Sequence, residues 1–327
     1  MAKREPSPDG VVAAAKRISA EIVRTPILSF LWQGNRIWAK AECLQQGGSF
    51  KLRGATNRLM QLTEAERARG VVAFSSGNHA QGIAIAARRL GIEAVIVMPS
   101  DAPVVKKEAT LAAGARIVEH DRATQSREEI GARLAAETGA TLVPSFDDVD
   151  VIEGQGSVGL ELAEQMKDVI GKGPDKILVP CGGGGLSAGI ALAVPDAEII
   201  VVEPEGWDDM GHSFAVGHPV PVSSDAPPTL CDSLQTKLVS ELTLGALRHR
   251  GARGVSVTEP EIERAIAFAA RELRLVVEPG GAAALAALLA GKAGILTDRT
   301  ALILSGGNVD PLIYARIIGD QAAETLR

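Results

Sequence analysis

Aromatic residues are scarce in this 327-residue chain, at 3%. Glycine (35) and aliphatic residues are plentiful instead, a mix that suits parallel sheets covered by helices. Cysteine is scarce too. Cys43, Cys181 and Cys231 lie far apart and match no disulfide or metal spacing, so a reduced, cytoplasmic protein is expected. No cluster of Lys and Arg forms a basic stripe, and 34 basic residues against 40 acidic ones leave a formal net charge of -6. Nucleic acid is therefore not an expected partner. Arg248-His249-Arg250 reads as a solvated helix end. The Ala-rich tract 280–293 is too short to cross a bilayer and reads as a buried helix. The N-terminus has no apolar stretch behind its charges, so no signal peptide is expected. Two nucleotide signatures are missing as well: no Gly-x-Gly-x-x-Gly with an acidic residue at the usual distance, and no Lys-Ser/Thr after a glycine loop.

Hydrophobic residues make up 46% of the chain and charged residues 23%, enough apolar material for a real core without a signature of disorder. At roughly 100–200 residues per domain, the length suggests two lobes. Strand and helix patterns alternate. Residues 11–23 have helical spacing, and 36–42 alternate like a strand. Strands are expected at 71–74, 94–98 and 116–119, each leading toward a helix. The rhythm returns with strands at 176–179, 198–203 and 300–304. Helices are expected at 186–193, 237–250 and 259–273, and residues 204–228 read as a loop with one short helix. The expected fold is α/β, with two intertwined, open parallel-sheet lobes and ligands at the carboxyl ends of strands. The larger lobe would take residues 1–45 and 150–327, the smaller one 46–149.

Four motifs sit at strand ends or helix starts. Lys51 lies between Gly48-Ser49-Phe50 and an apolar helix start. A lysine there opposes the helix dipole, which a phosphate-bearing ligand would offset, and a disfavoured ammonium makes a better nucleophile toward an aldehyde. Gly182, Gly183, Gly184 and Gly185 stand between a strand and the helix beginning near Leu186, where backbone N–H groups can converge on an anion. Ser75-Ser76-Gly77-Asn78-His79 follows a strand and offers hydroxyls, an amide and N–H groups; a plain turn and cap would explain only one of them. Ser305-Gly306-Gly307-Asn308 follows the last strand. A fifth segment, Glu203 to Asp209, reads first as an acidic loop, but Glu203, Asp209 and a loop carbonyl would suit a hard cation such as Mg²⁺.

In order, SFKLRGA, SSGNHAQG, CGGGGL and LSGGN resemble the serine/threonine dehydratase and serine racemase family of fold-type II pyridoxal-phosphate (PLP) enzymes. The resemblance covers about residues 22–311. It implies the tryptophan synthase beta-like fold and a set of roles. Lys51 would carry the cofactor as a Schiff base, with Phe50 beside the ring. Asn78 would bond the ring's 3′-oxygen, residues Gly182, Gly183, Gly184, Gly185 and Leu186 would cup the phosphate, and Ser305 would meet the pyridine nitrogen. Ser76 would be the acid/base on the face opposite Lys51. Ser75, Ser76, Gly77 and His79 would hold the substrate carboxylate, and Arg127 would lie at the substrate end. Glu203, the Trp207 carbonyl and Asp209 fall where the family binds a divalent ion.

The activity so implied is dehydration of L-serine or L-threonine to a 2-oxo acid and ammonia, in a homodimer. Serine or aspartate racemisation and 3-hydroxyaspartate ammonia-lyase activity remain open beside it. From other classes, a non-catalytic PLP or amino-acid sensor is disfavoured by the intact Lys51, Asn78 and Ser305. A Rossmann oxidoreductase is disfavoured by the missing fingerprint. The chain ends soon after the last motif, so no regulatory domain is expected. Residues 225–236 look divergent but keep the acidic Asp232.

Overall fold

The structure, a computed structural model, describes residues 4–75, 77–102 and 104–325. The described residues form ten strands: β1 (Ile27–Trp32), β2 (Asn35–Ala41), β3 (Val71–Phe74), β4 (Ala94–Pro99), β5 (Arg116–His120), β6 (Thr141–Leu142), β7 (Lys176–Pro180), β8 (Glu198–Pro204), β9 (Arg253–Val257) and β10 (Thr300–Leu304). They build a six-stranded sheet ordered β1-β2-β10-β7-β8-β9 and a four-stranded sheet ordered β5-β4-β3-β6. The fold is thus α/β with two parallel-sheet lobes. Strands β7 and β10 are buried along their whole length, as strands covered by helices on both faces must be.

Strand order reverses once in each sheet. In the large sheet, β8 and β9 lie on one side of β7 and β10 on the other. In the small sheet, β4 and β5 lie on one side of β3 and β6 on the other. Chains leaving two neighbouring strands at such a point diverge to opposite faces and open a crevice at the carboxyl ends. The segments that follow β7, β10 and β3 are the glycine run at 182–185, Ser305-Gly306 and the run ending in Asn78. Topology alone therefore brings three of the four motifs to crevices.

Several elements depart from the expectations. β1 is an antiparallel edge strand, registered Ile27 with Lys40 through Trp32 with Asn35. Its two-residue turn, Gln33-Gly34, has positive φ at both positions (49° and 79°), which matches the twist of a tight hairpin. Gln-Gly is a weak hairpin signal, so the sequence shows only the second strand. The first helix runs Pro8–Ile18, earlier than expected, because Ser7 caps it and Pro8 suits its first turn. Helix Val149–Ile170 is not legible in the sequence; its Glu-Gly-Gln-Gly-Ser-Val-Gly stretch reads as a poor helix former. β9 and the last helix, Pro311–Thr325, are likewise additions to the expected elements. Helix Glu259–Phe268 passes into a π-helical turn at Ala269–Leu273 instead of continuing as α. The Ala-rich tract is helix Pro279–Leu289, buried on all sides between other elements, as expected.

Beneath Lys51 lies a closed network of buried charges. Arg53, on the same helix (Lys51–Met60), is fully buried. Its Nε and Nη2 donate to Glu42 at 2.8 and 2.9 Å, and Nη1 and Nη2 donate to Glu161 at 2.7 and 2.9 Å. Nη1 also reaches the Ser157 hydroxyl at 3.2 Å. All five N–H donors of the guanidinium are thereby used. Burial alone would lower the Arg53 pKa, but the Glu42 and Glu161 carboxylates raise it instead. Lys40, also fully buried, donates to the Thr25 carbonyl, Glu161 and Gln165 at 2.7, 2.7 and 2.9 Å. The network ties Lys51's helix to β2 and to helix Val149–Ile170.

Candidate active site

A cleft lined by residues of all four motifs opens where the two lobes meet. It is lined by Phe50, Lys51, Asn78, Phe146, residues 182–186, Glu278 and Ser305. The segment before Lys51 is stitched to the turn after β10. Phe50 N–H donates to the Ser305 carbonyl at 3.1 Å, Gly307 N–H donates to the Gly48 carbonyl at 2.8 Å, and Ser49 bridges Gly306. The lysine motif and the Ser305 motif, far apart in sequence, are thus one backbone unit.

Lys51 is the first residue of its helix, and its Nζ lies 5.2 Å from the Phe50 ring centre. The one hydrogen bond it makes to the described residues is to the Ser145 carbonyl, at 2.9 Å. Burial lowers its pKa to about 8, with no carboxylate nearby to oppose the shift. An amine in that state is partly neutral near physiological pH and is nucleophilic.

Facing it, helix Gly185–Ala193 begins without a side-chain cap. Its N-cap, Gly184, has φ +83°, a left-handed conformation that glycine adopts freely. A Cβ on Gly183 would lie 2.2 Å from the Phe146 ring, so the loop can pass under that ring only as glycine. Uncapped N–H groups at a helix start, lining a cleft, can serve as an anion cup.

Helix Asn78–Leu90 also starts without a side-chain cap, and Asn78 is buried at its first position. Its Nδ2 donates to Glu278 at 2.6 Å and its Oδ1 accepts from Asn308 Nδ2 at 2.8 Å. His79, next along, is buried and turned from the cleft. Its Nε2 bonds the Val143 carbonyl at 3.0 Å, while Nδ1 has no partner among the described residues. Burial, reinforced by the Lys51 charge, lowers its pKa to about 3, so the ring is neutral at physiological pH. A His79 base role would need a proton acceptor poised nearer pH 7. Ser75 and Gly77 stand on the loop after β3, where Gly77 N–H donates to Ser75 Oγ at 3.2 Å. Ser76 lies outside the described residues. Arg127 starts helix Arg127–Thr138, half-exposed, its guanidinium 5.6 Å from the Phe74 ring and paired with Glu128 at 2.8 Å. It stands beside the end of β3 but does not line the cleft.

The acidic segment folds apart from the cleft. Glu203, at the end of β8, is fully buried and accepts from Met210 N–H and Gly211 N–H, both at 2.9 Å. Burial pushes its pKa well up. Asp209 is buried, and neither carboxylate oxygen makes a well-formed hydrogen bond to a described residue. The Val239 N–H lies near enough to favour its ionised form, yet burial prevails and raises the pKa to about 7. A buried carboxylate left without donors fits a bound cation. No group of three or more His, Cys, Asp or Glu residues poised for a metal occurs among the described residues, so a carbonyl such as that of Trp207 would have to complete the set.

Two features of the cleft have no counterpart among the sequence motifs. Glu278 is buried in the cleft wall, and burial, reinforced by Asp232, raises its pKa to about 7. A lone acid between an apolar run and Pro-Gly-Gly-Ala-Ala-Ala is its local signal. Ser145 and Phe146 also line the cleft, without any local motif to announce them.

A glycine-lined helix start beside an amine of lowered pKa has the chemistry to hold a phosphate-bearing aldehyde. PLP is such a molecule, and the glycine passage under Phe146 and the uncapped helix start both fit it. The family model for pyridoxal-phosphate dependent enzymes matches residues 18–306. The chain belongs to that family, with the type II fold. It is 40% identical to L-threo-3-hydroxyaspartate ammonia-lyase of Saccharomyces cerevisiae over 321 residues, 96% of each chain. It is 38% identical to serine racemase of Schizosaccharomyces pombe over 322 residues, 96% of this chain and 97% of that one. Among solved structures, a threonine deaminase from T.th. matches with a TM-score of 0.86 and 41% identity, covering 93% of this chain and 99% of the other.

Proposed function

We propose that the chain is an ammonia-lyase that dehydrates a small 3-hydroxy amino acid to a 2-oxo acid and ammonia. The observation that carries this reading is Lys51: an amine of lowered pKa, in a cleft, facing an anion cup. PLP, when bound, supplies the electron sink that weakens the bonds at the substrate's Cα. The chain's residues do the rest. N–H groups of residues 182–186 would hold the phosphate, Asn78 would bond the ring's 3′-oxygen, and Ser305 Oγ would be a neutral partner for the ring nitrogen. Lys51 Nζ takes the proton from Cα. The C3–O bond then breaks, and the hydroxyl leaves as water with the proton that Lys51 Nζ took from Cα. The freed enamine takes up a proton and is hydrolysed, so the water lost first is consumed last. Phe50 and Phe146 keep bulk water from the reacting face.

L-Serine and L-threonine are the substrates first expected from the motifs. One observation brings L-threo-3-hydroxyaspartate beside them, the relative of that name; Arg127, outside the cleft lining and paired with Glu128, would have to turn inward for its fork to grip a second carboxylate. A substrate panel decides, with ammonia and 2-oxo acid as readouts. Turnover of hydroxyaspartate that falls at least about tenfold in Arg127→Ala, with serine turnover unchanged, assigns the dicarboxylate. Equal effects on both would remove Arg127 from substrate recognition. No oxo acid from any member of the panel would sink the lyase reading; inversion of serine in its place would support a racemase.

Glu203, Asp209 and the Trp207 carbonyl are the residues we assign to a divalent cation such as Mg²⁺. It would neutralise the two acids and brace the start of helix Asp209–Val216. A homodimer is the assembly we expect, tested by light scattering.

A further inference from the structure

The Asn78 amide is claimed from both sides. Asn308 Nδ2 donates to its oxygen at 2.8 Å, and Asn308 is itself fixed by the Gly47 carbonyl, also at 2.8 Å. Glu278 Oε1 takes one Nδ2 hydrogen at 2.6 Å. An amide nitrogen has two hydrogens, and Asn78 lines the cleft.

Glu278 is built in for this contact. It stands at the N-cap of helix Pro279–Leu289, yet its side chain does not cap that helix. Its own N–H donates to the Gly306 carbonyl at 3.0 Å, which locks it beside Ser305. A Cβ on Gly306 would lie 2.4 Å from Glu278 Oε1, so the carboxyl has a seat only because residue 306 is glycine.

We propose that Glu278 is a positioning residue for the cofactor ring, turning the second Nδ2 hydrogen of Asn78 into the cleft to meet the ring's 3′-oxygen. This rests on the PLP reading and goes beyond it, because it makes the ring's environment depend on a buried acid. Burial and Asp232 push the Glu278 pKa up to about 7, while Asn78, Lys106 and Ser233 pull it down. The nearby Cys43 and Cys231 thiols have pKa values pushed up by burial and stay neutral, and Lys51 lines the same cleft. Glu278 therefore changes charge near pH 7, and the hydrogen bond that Asn78 offers the ring changes with it.

The test compares wild type with Glu278→Gln and Glu278→Ala, reading PLP affinity and the pH dependence of the bound cofactor's absorption band. Glutamine keeps an acceptor for Asn78 but cannot ionise. It should bind PLP within about threefold of wild type and lose the band's titration step near pH 7. Alanine leaves Asn78 without its partner and should weaken PLP about tenfold. If alanine fails to fold, the glutamine titration still decides. Wild-type affinity in Glu278→Ala, or a titration step unchanged in Glu278→Gln, would overturn the proposal while leaving PLP binding intact. A wild-type protein with no cofactor band would overturn the PLP reading itself and this proposal with it.

Discussion

Lys40 lies on β2 and Lys51 on helix Lys51–Met60, and burial lowers the pKa of both. The Lys40 ammonium uses all three of its donors, on Thr25, Glu161 and Gln165, and Glu42 and Glu161 partly restore its pKa. Lys51 has the Ser145 carbonyl and no charged partner. Helix starts divide the same way. Ser7, Ser126, Asp148 and Ser240 each cap a scaffold helix with a side-chain oxygen. The helices whose starts face the cleft follow Phe50, Gly77, Gly184 and Glu278, and none of those side chains caps its own helix. These lysines and helix starts are closed in the scaffold and left open around the cleft. An open group costs stability in the empty protein, and that cost is what a ligand relieves.

The sharpest way to break this comparison is to remove one lysine of open type and one cation of closed type. Lys51→Ala should lower turnover by at least about 10³-fold. It should leave the melting temperature of the cofactor-free protein unchanged or slightly higher, because it removes a charge that burial disfavours. Arg53→Ala should do the reverse to the fold, costing about 3–5 kcal/mol by denaturant titration, since it strands Glu42 and Glu161 in the interior. A large loss of stability in the first, or none in the second, would erase the distinction.

Smaller effects sharpen it. The Lys51 pKa is lowered from 10.5 to about 8, so the neutral amine gains on the ammonium as pH rises through 8. Capture of PLP by the cofactor-free protein should therefore quicken about tenfold per pH unit below 8 and level off above it, followed by absorbance. A rate still climbing toward about pH 10 would mean that the amine is solvated. Asp209 shifts the other way, from 3.8 to about 7. The folded protein then holds a proton that the unfolded chain releases, so cation-free stability should fall as pH rises across that window. Mg²⁺ should flatten the fall and raise the melting temperature by a few degrees near neutral pH. The same titration with Asp209→Asn should show no response to Mg²⁺. A wild type that ignores Mg²⁺ and EDTA alike would remove the cation.

The sequence made much of this visible. Lys51, Asn78, residues 182–186 and Ser305 stand in one cleft because each motif follows a strand or opens a helix at a point the strand order already marks. What stayed hidden depends on pairing across long stretches of chain. Glu278 meets Asn78 over 200 residues, and Arg53 meets Glu161 over 108. No local period announces either pair. Helix Val149–Ile170 was hidden for a different reason: tertiary packing overrides the weak propensity of its glycines. Absent capping residues at Phe50, Gly77, Gly184 and Glu278, against good ones elsewhere, are a local signal that would have pointed to Glu278.

The most direct test of the account is chemical capture of the cofactor. The purified protein is loaded with PLP, reduced with borohydride, digested, and its peptides are mapped by mass spectrometry. The account predicts one reduced pyridoxyl group, carried by the peptide that contains Lys51. A label on Lys40 or any other lysine, or no label at all, would contradict it.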